Sequence, residues 1–119
     1  MAEEYKSTVS LEERKKETER IRLMYPGKLP IYLEKYHKSA LPQAGKNKCL
    51  APMDNSMTGF IRGLRKKFQL DPTQGLFVFV NGNEIVTGDA LISELYERKR
   101  NEDGFLYLVY NEHPVLGGN

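Results

Sequence analysis

Glu102-Asp-Gly-Phe-Leu-Tyr-Leu-Val-Tyr110, followed closely by Val115-Leu-Gly-Gly-Asn119, is the stretch on which the reading of this chain turns. Phe105–Tyr110 is rich in the aromatic and β-branched residues that favour a pleated strand. Asn101–Gly104 ahead of it carries turn chemistry. Beyond the strand the chain releases a short tail with a glycine pair. Glycine has no Cβ, so such a tail threads a narrow channel and presents a carboxylate without steric cost. As written, Asn119 blocks that carboxylate, and the chain has the look of a precursor. Terminal glycines taken alone are commonly just loose, so the rest of the sequence has to decide.

Working back from that strand, Leu76–Val80 is a continuous apolar run, expected to be buried on both faces. Asn81-Gly82 is a tight-turn signal leading into a short return strand, Glu84–Val86. Thr87 is expected to cap a helix running to about Lys99, with Leu91 and Leu95 inward. Upstream, Met57, Phe60, Ile61, Leu64 and Phe68 recur at helical spacing, with Ser56 or Asn55 as N-cap. This is the central core helix. Asn47–Pro52 reads as a short edge strand, because Pro52 cannot donate to a ladder and the lysines discourage promiscuous pairing. Lys28–Tyr36 is strand-like, with Ile31, Leu33 and Lys35 alternating against Tyr32 and Glu34.

The N-terminal segment is a polar helix over Leu11–Met24. Ser10 and Glu13 form a capping box, and Pro26-Gly27 ends it. Its stripe of Leu11, Thr18, Ile21 and Tyr25 is thin, so it should lie against a domain and not form its core. Ala2–Thr8 can add a further turn. The order β-β-α-β-β-α-β behind helices defines an α+β class and a β-grasp sheet, provided that the first and last strands pair in its middle. Three regions follow: a helical extension over 1–27, the core over 28–111, and a tail over 112–119.

The composition is that of an ordinary globular domain: 119 residues, 39% hydrophobic and 29% charged. No apolar run approaches a membrane span, and no apolar signal core opens the chain. The lone cysteine suits a reducing compartment, with the cytosol as the expectation. Net charge of +2 conceals an asymmetry. Residues 28–67 carry nine basic and two acidic side chains, and residues 71–119 carry three basic and eight acidic. A face suited to acidic partners is implied. No metal-ligand spacing, phosphate loop or nucleophile constellation is present, which argues against an enzyme and against any cofactor.

Glu19-Arg-Ile-Arg22, Tyr25-Pro26, Pro30, Glu34-Lys35, Lys48, Leu50-Ala-Pro52, Arg65, Leu70, Val80-Asn-Gly82, Leu95-Tyr96 and the 102–110 block together resemble the autophagy ubiquitin-like modifiers, the GABA-receptor-associated-protein and microtubule-associated light-chain group. The match runs over almost the whole chain, and the 102–110 block is its most specific part. The resemblance implies a ubiquitin-like fold and a modifier trimmed by a cysteine protease. Activating and conjugating enzymes would then pass it to phosphatidylethanolamine, with Gly117 as acceptor and Gly118 as the alternative. It implies a cytoplasmic protein that shifts to autophagosomal membranes when lipidated, attached through the covalent lipid alone.

The resemblance also implies capture of receptors and adaptors bearing aromatic-x-x-aliphatic motifs. The first pocket would be formed by Glu17, Ile21, Pro30, Tyr32, Lys48, Leu50 and Phe105. The second would be formed by Cys49, Ala51, Pro52, Phe60 and Leu64, with Lys46, Lys48 and Lys67 meeting the ligand's acidic flank. The chain departs from the family at Gly63 and Ala51, which replace larger aliphatics, and at Cys49, which replaces an aromatic residue. Leu116 stands for an aromatic before the acceptor glycine, Val9-Ser10 for His-Pro, and His37 for a proline. Two other readings use the same residues. One is an unconjugated ubiquitin-fold adaptor. The other is a basic tubulin or nucleic-acid binder, which the acidic C-terminal third argues against; no nucleic-acid partner is expected.

Overall fold

The fold is described from a computed structural model over residues 2–116. Its elements are α1 (Ala2–Thr8), α2 (Leu11–Met24), β1 (Lys28–Lys35), β2 (Lys48–Pro52), α3 (Met57–Phe68), β3 (Phe77–Val80), β4 (Glu84–Ile85), α4 (Ile92–Lys99) and β5 (Leu106–Asn111). The first and last strands do meet in the middle: β1 runs parallel to β5, from Ile31 opposite Leu106 to Lys35 opposite Tyr110. The sheet order is β2-β1-β5-β3-β4, with the remaining pairs antiparallel. The expected β-grasp is therefore the observed one.

Helix α3 crosses one face of the sheet. Ser56 caps it by accepting from the Gly59 N–H at 3.0 Å, and Gln69 closes it in a left-handed conformation. Met57, Leu64 and Phe68 are buried against Leu29, Ile31, Leu33, Val78, Leu106 and Leu108. Each such side chain contributes roughly 1.5–3 kcal/mol before entropy is set against it. The β3–β4 turn uses positive φ at Asn81 (52°) and Gly82 (89°), as a tight hairpin requires.

The expected start of α4 is corrected. Thr87 caps nothing: α4 starts at Ile92, because positive φ at Gly88 (81°) holds the preceding segment in a loop. Glu94 supplies the N-terminal contact, its carboxylate accepting from the Leu91 N–H at 3.0 Å. Leu91 is consequently exposed at 41%, while Ile92, Leu95 and Tyr96 face inward. In β1 every residue from Leu29 to Glu34 is buried. The second face is covered by α1 and α2, where Tyr32, Phe105 and Tyr107 form a smaller cluster with Ala2, Tyr5 and Ile21.

Helix α2 is fastened to that face by polar contacts more than by its thin apolar stripe. Arg14 Nη1 donates to Asp103 Oδ2 at 2.5 Å, with Arg14 8% and Asp103 1% exposed. The same carboxylate accepts from the Tyr107 hydroxyl and the Phe105 N–H. Thr18 Oγ1 donates to the Asp103 carbonyl at 2.6 Å. Gly104 sits at φ +93°, and a Cβ there would collide with Thr18.

Removing one member of a buried ion pair leaves its partner desolvated and uncompensated, at a cost of about 3–5 kcal/mol. Asp103→Ala should therefore lower unfolding free energy by that amount in urea titration. A loss under about 1 kcal/mol, the scale of an exposed pair, would refute this role.

Candidate functional site

Strand β2 is the open edge of the sheet. Leu33 N donates to Asn47 O at 2.8 Å and Met53 N to Gly27 O at 3.1 Å, so odd-numbered residues of this segment turn their backbone groups toward β1. Antiparallel alternation then aims the N–H and C=O groups of Lys48 and Leu50 outward. Side chains of β2 diverge to the two faces of the sheet. Lys48 and Leu50 lie opposite Tyr32 and Pro30, on the side of α1 and α2. Cys49 and Ala51 lie opposite Ile31 and Leu29, on the side of α3.

On the α3 side a cavity of about 270 Å³ opens beside the edge. Cys49, Phe60 and Leu64, predicted for the second pocket, line it together with Leu50, Gly59 and Gly63. Lys46 and Lys67 stand at the same cavity, Lys67 donating to the Ala44 carbonyl at 2.7 Å. Ala51 and Pro52 are not among its lining residues. Ala51 is 1% exposed within the core, and Pro52 is exposed at the end of the strand. A Cβ built on Gly63 would meet nothing within 4 Å, so the cavity is wide because this position lacks a side chain. Burial pushes the Cys49 thiol up to about 11, against a smaller opposing effect of Lys67.

On the α2 side Glu17, Ile21, Tyr32, Lys48 and Phe105 of the predicted first pocket are brought together, joined by Tyr5, which sequence reasoning missed. Pro30 is buried within β1, and Leu50 lines the cavity on the α3 side. Tyr5 of α1 stacks on Tyr32 at 4.9 Å between ring centroids, nearly parallel at 18°, and meets Phe105 edge-on at 6.1 Å. Its hydroxyl donates to Glu17 Oε1 at 3.1 Å. Lys48 Nζ lies 4.6 Å from the Tyr5 ring and pairs with both Glu17 oxygens at 2.9 and 3.1 Å. Tyr32 and Phe105 are 6% and 0% exposed beneath these groups. Burial, reinforced by the Glu17 carboxylate, raises the pKa of the Tyr5 hydroxyl. The signal for Tyr5 was present as a lone aromatic in a polar N-terminal segment, but its partners lie far away in sequence. Lys48 thus stands on the α2 side of the edge, while Lys46 and Lys67 stand on the α3 side.

Gly117 and Gly118, the predicted acceptor positions, lie outside the described residues. The tail up to Leu116 leaves β5 with Asn111 Nδ2 donating to the Val115 carbonyl at 3.2 Å. Among the described residues no helix is long and apolar enough to cross a membrane, and no group of three His, Cys, Asp or Glu is placed to hold a metal ion.

A five-stranded mixed sheet with parallel central strands, one helix across it and two helices before it is a ubiquitin-like fold. A family model described as "Autophagy protein Atg8 ubiquitin like" matches residues 13–117, and the chain belongs to that family. It is 40% identical to autophagy-related protein 8h of Arabidopsis thaliana, over 95% of this chain and 94% of the relative. It is 37% identical to autophagy-related protein 8 of Schizosaccharomyces pombe, over 98% and 96%. Among solved structures, the crystal structure of Trypanosoma brucei ATG8 superposes with a TM-score of 0.82 at 32% identity, covering 95% of this chain and 97% of that one. The chain is an autophagy modifier of the ubiquitin-like class.

Because the thiolate is the nucleophile, Cys49 should alkylate slowly at neutral pH and accelerate as pH climbs toward about 11. Mass spectrometry of iodoacetamide-treated protein checks this. A rate at pH 7.5 equal to that of an unstructured cysteine peptide would contradict the buried environment.

Proposed function

We propose that this modifier is conjugated to phosphatidylethanolamine through Gly117 and recruits receptors carrying an aromatic-x-x-aliphatic motif to the edge strand β2. The observation that supports the receptor reading is an open edge with the backbone groups of Lys48 and Leu50 aimed outward, an aromatic cluster on its α2 side and a cavity of about 270 Å³ on its α3 side. In an extended peptide, residues three apart point to opposite faces. A ligand added to β2 therefore directs its first anchor toward α2 and its second toward the cavity beside α3. Main-chain hydrogen bonds to Lys48 and Leu50 supply affinity, and the recesses supply selection. Lys46, Lys48 and Lys67 present positive charge to an acidic flank, each worth about 0–1 kcal/mol while exposed.

In the second recess the missing side chain at Gly63 weakens selection. The protein acts as a substrate of its processing protease and of its activating and conjugating enzymes, not as a catalyst. It works in the cytoplasm and on autophagosomal membranes, held there by its lipid.

Intact mass of the chain recovered from its native cells tests conjugation. Loss of Gly118-Asn119 and a phosphatidylethanolamine adduct, both abolished by Gly117→Ala, are the expected results. Loss of Asn119 alone moves the acceptor to Gly118, and an untrimmed, unmodified mass under starvation supports an unconjugated adaptor instead. Calorimetry with peptides carrying Leu, Ile, Val or Phe at the second anchor should give affinities within roughly tenfold, about 1.4 kcal/mol. Gly63→Leu should widen that spread by excluding Phe. A steep preference in the unaltered protein would count against the wide cavity as a tolerant site.

A further inference from the structure

We propose that Tyr5 is a specificity-determining residue of the first pocket: its ring is the pocket's own occupant, which the aromatic anchor of a receptor has to displace. This rests on the receptor reading above and goes beyond it. The ring lies flat on Tyr32 and edge-on to Phe105, and these two rings are buried beneath it. Offset stacking and edge-on packing are the arrangements an incoming tryptophan or phenylalanine would adopt there. Tyr5 therefore already makes the contacts that the ligand needs.

The occupant is latched at its polar end. Glu17 accepts from the Tyr5 hydroxyl and from Lys48, and the Lys48 ammonium lies against the Tyr5 ring. Displacement of the ring gives up the Tyr5 hydroxyl contact to Glu17 and the ammonium–ring contact to Lys48, while the Lys48–Glu17 pair is independent of the ring. The groups that face Tyr5 are Glu17 and Arg14 of α2, Tyr32 of β1, Lys48 of β2, and Asp103 and Phe105 at the start of β5. Helix α1 is seven residues long. A helix that short is marginal by itself, which makes it able to leave. The helix is also held by the Ala2 N–H, which donates to Glu34 Oε2 at 2.8 Å, and by the Lys6 ammonium over the Tyr107 ring at 4.1 Å.

Two consequences for selection follow. An aliphatic first anchor cannot replace the stacking it would interrupt, so the self-occupied pocket rejects it more strongly than an empty one would. An acidic residue next to the aromatic offers Lys48 a new partner in place of Glu17 and releases the latch. The favoured ligand is thus an extended peptide with an aromatic anchor and an acidic neighbour, and the preference for both is set by Tyr5.

Calorimetric titration of an acidic Trp-x-x-Leu peptide into the full chain and into Tyr5→Ala tests this. If the pocket is open for about a tenth of the time, removing the occupant tightens apparent binding about tenfold. Peptides with Ala in place of Trp should gain nothing. Neutralising the acidic neighbour should cost the unaltered protein more than it costs Tyr5→Ala, a coupling that a merely structural role would not produce. Tyr5→Phe, which keeps the stack and loses the Glu17 contact, should fall between the two and guards against a folding artefact. Binding that Tyr5→Ala leaves unchanged or weakens overturns the occupant while sparing the groove. No binding by either protein overturns both.

Discussion

One carboxylate holds the two halves of this molecule together. Asp103 gathers the Arg14 guanidinium, the Tyr107 hydroxyl and the Phe105 N–H at the entrance to the last strand. A charge taken out of water is tolerated only when its lone pairs are satisfied, and here the three donors come from α2 and from β5 itself. The consequence is geometric. With Arg14 and Thr18 fixed on the 103–105 turn, Glu17 and Ile21, about one and two helical turns beyond Arg14, are held beside β2 and β1. The α2 side of the edge is therefore positioned from behind, by a buried ion pair.

That arrangement explains what the sequence conveyed and what it hid. Helix α3 and its cap, the edge strand and the β3–β4 turn were legible because each rests on local chemistry: spacing, capping oxygens, positive-φ residues. Arg14 was not legible, since an arginine in a polar helix reads as solvated until a distant acid claims it. The position of α4 was misread at Thr87 because a capping residue marks a start only if the backbone after it can be helical, and Gly88 at positive φ forbids it. How completely both faces of β1 are covered was not legible, for a related reason. Alternation in β1 shows which residues share a face, but not whether helices from elsewhere cover that face.

The basic middle of the chain also acquires a location. Of its lysines, Lys46, Lys48 and Lys67 cluster around the two sides of β2, where unpaired backbone groups would otherwise invite any strand. Positive charge on an open edge repels a second copy of the same edge and attracts an acidic segment. One set of side chains thus protects the edge from self-association and biases its choice of partner.

The two recesses differ in opposite directions. The α3 side is emptied, with glycine at position 63 and the Cys49 thiol on the wall. The α2 side is filled, with Tyr32 as floor and Tyr5 upon it. An emptied pocket discriminates weakly, because a mismatched anchor there forgoes contact without suffering a clash. A filled pocket discriminates strongly, because each candidate is compared with an occupant that is already satisfied. On the proposed receptor function, selectivity accordingly moves toward the first anchor and its acidic neighbour. The second anchor is left mainly to exclude water from the edge hydrogen bonds of Lys48 and Leu50, and those backbone contacts carry no information about ligand sequence.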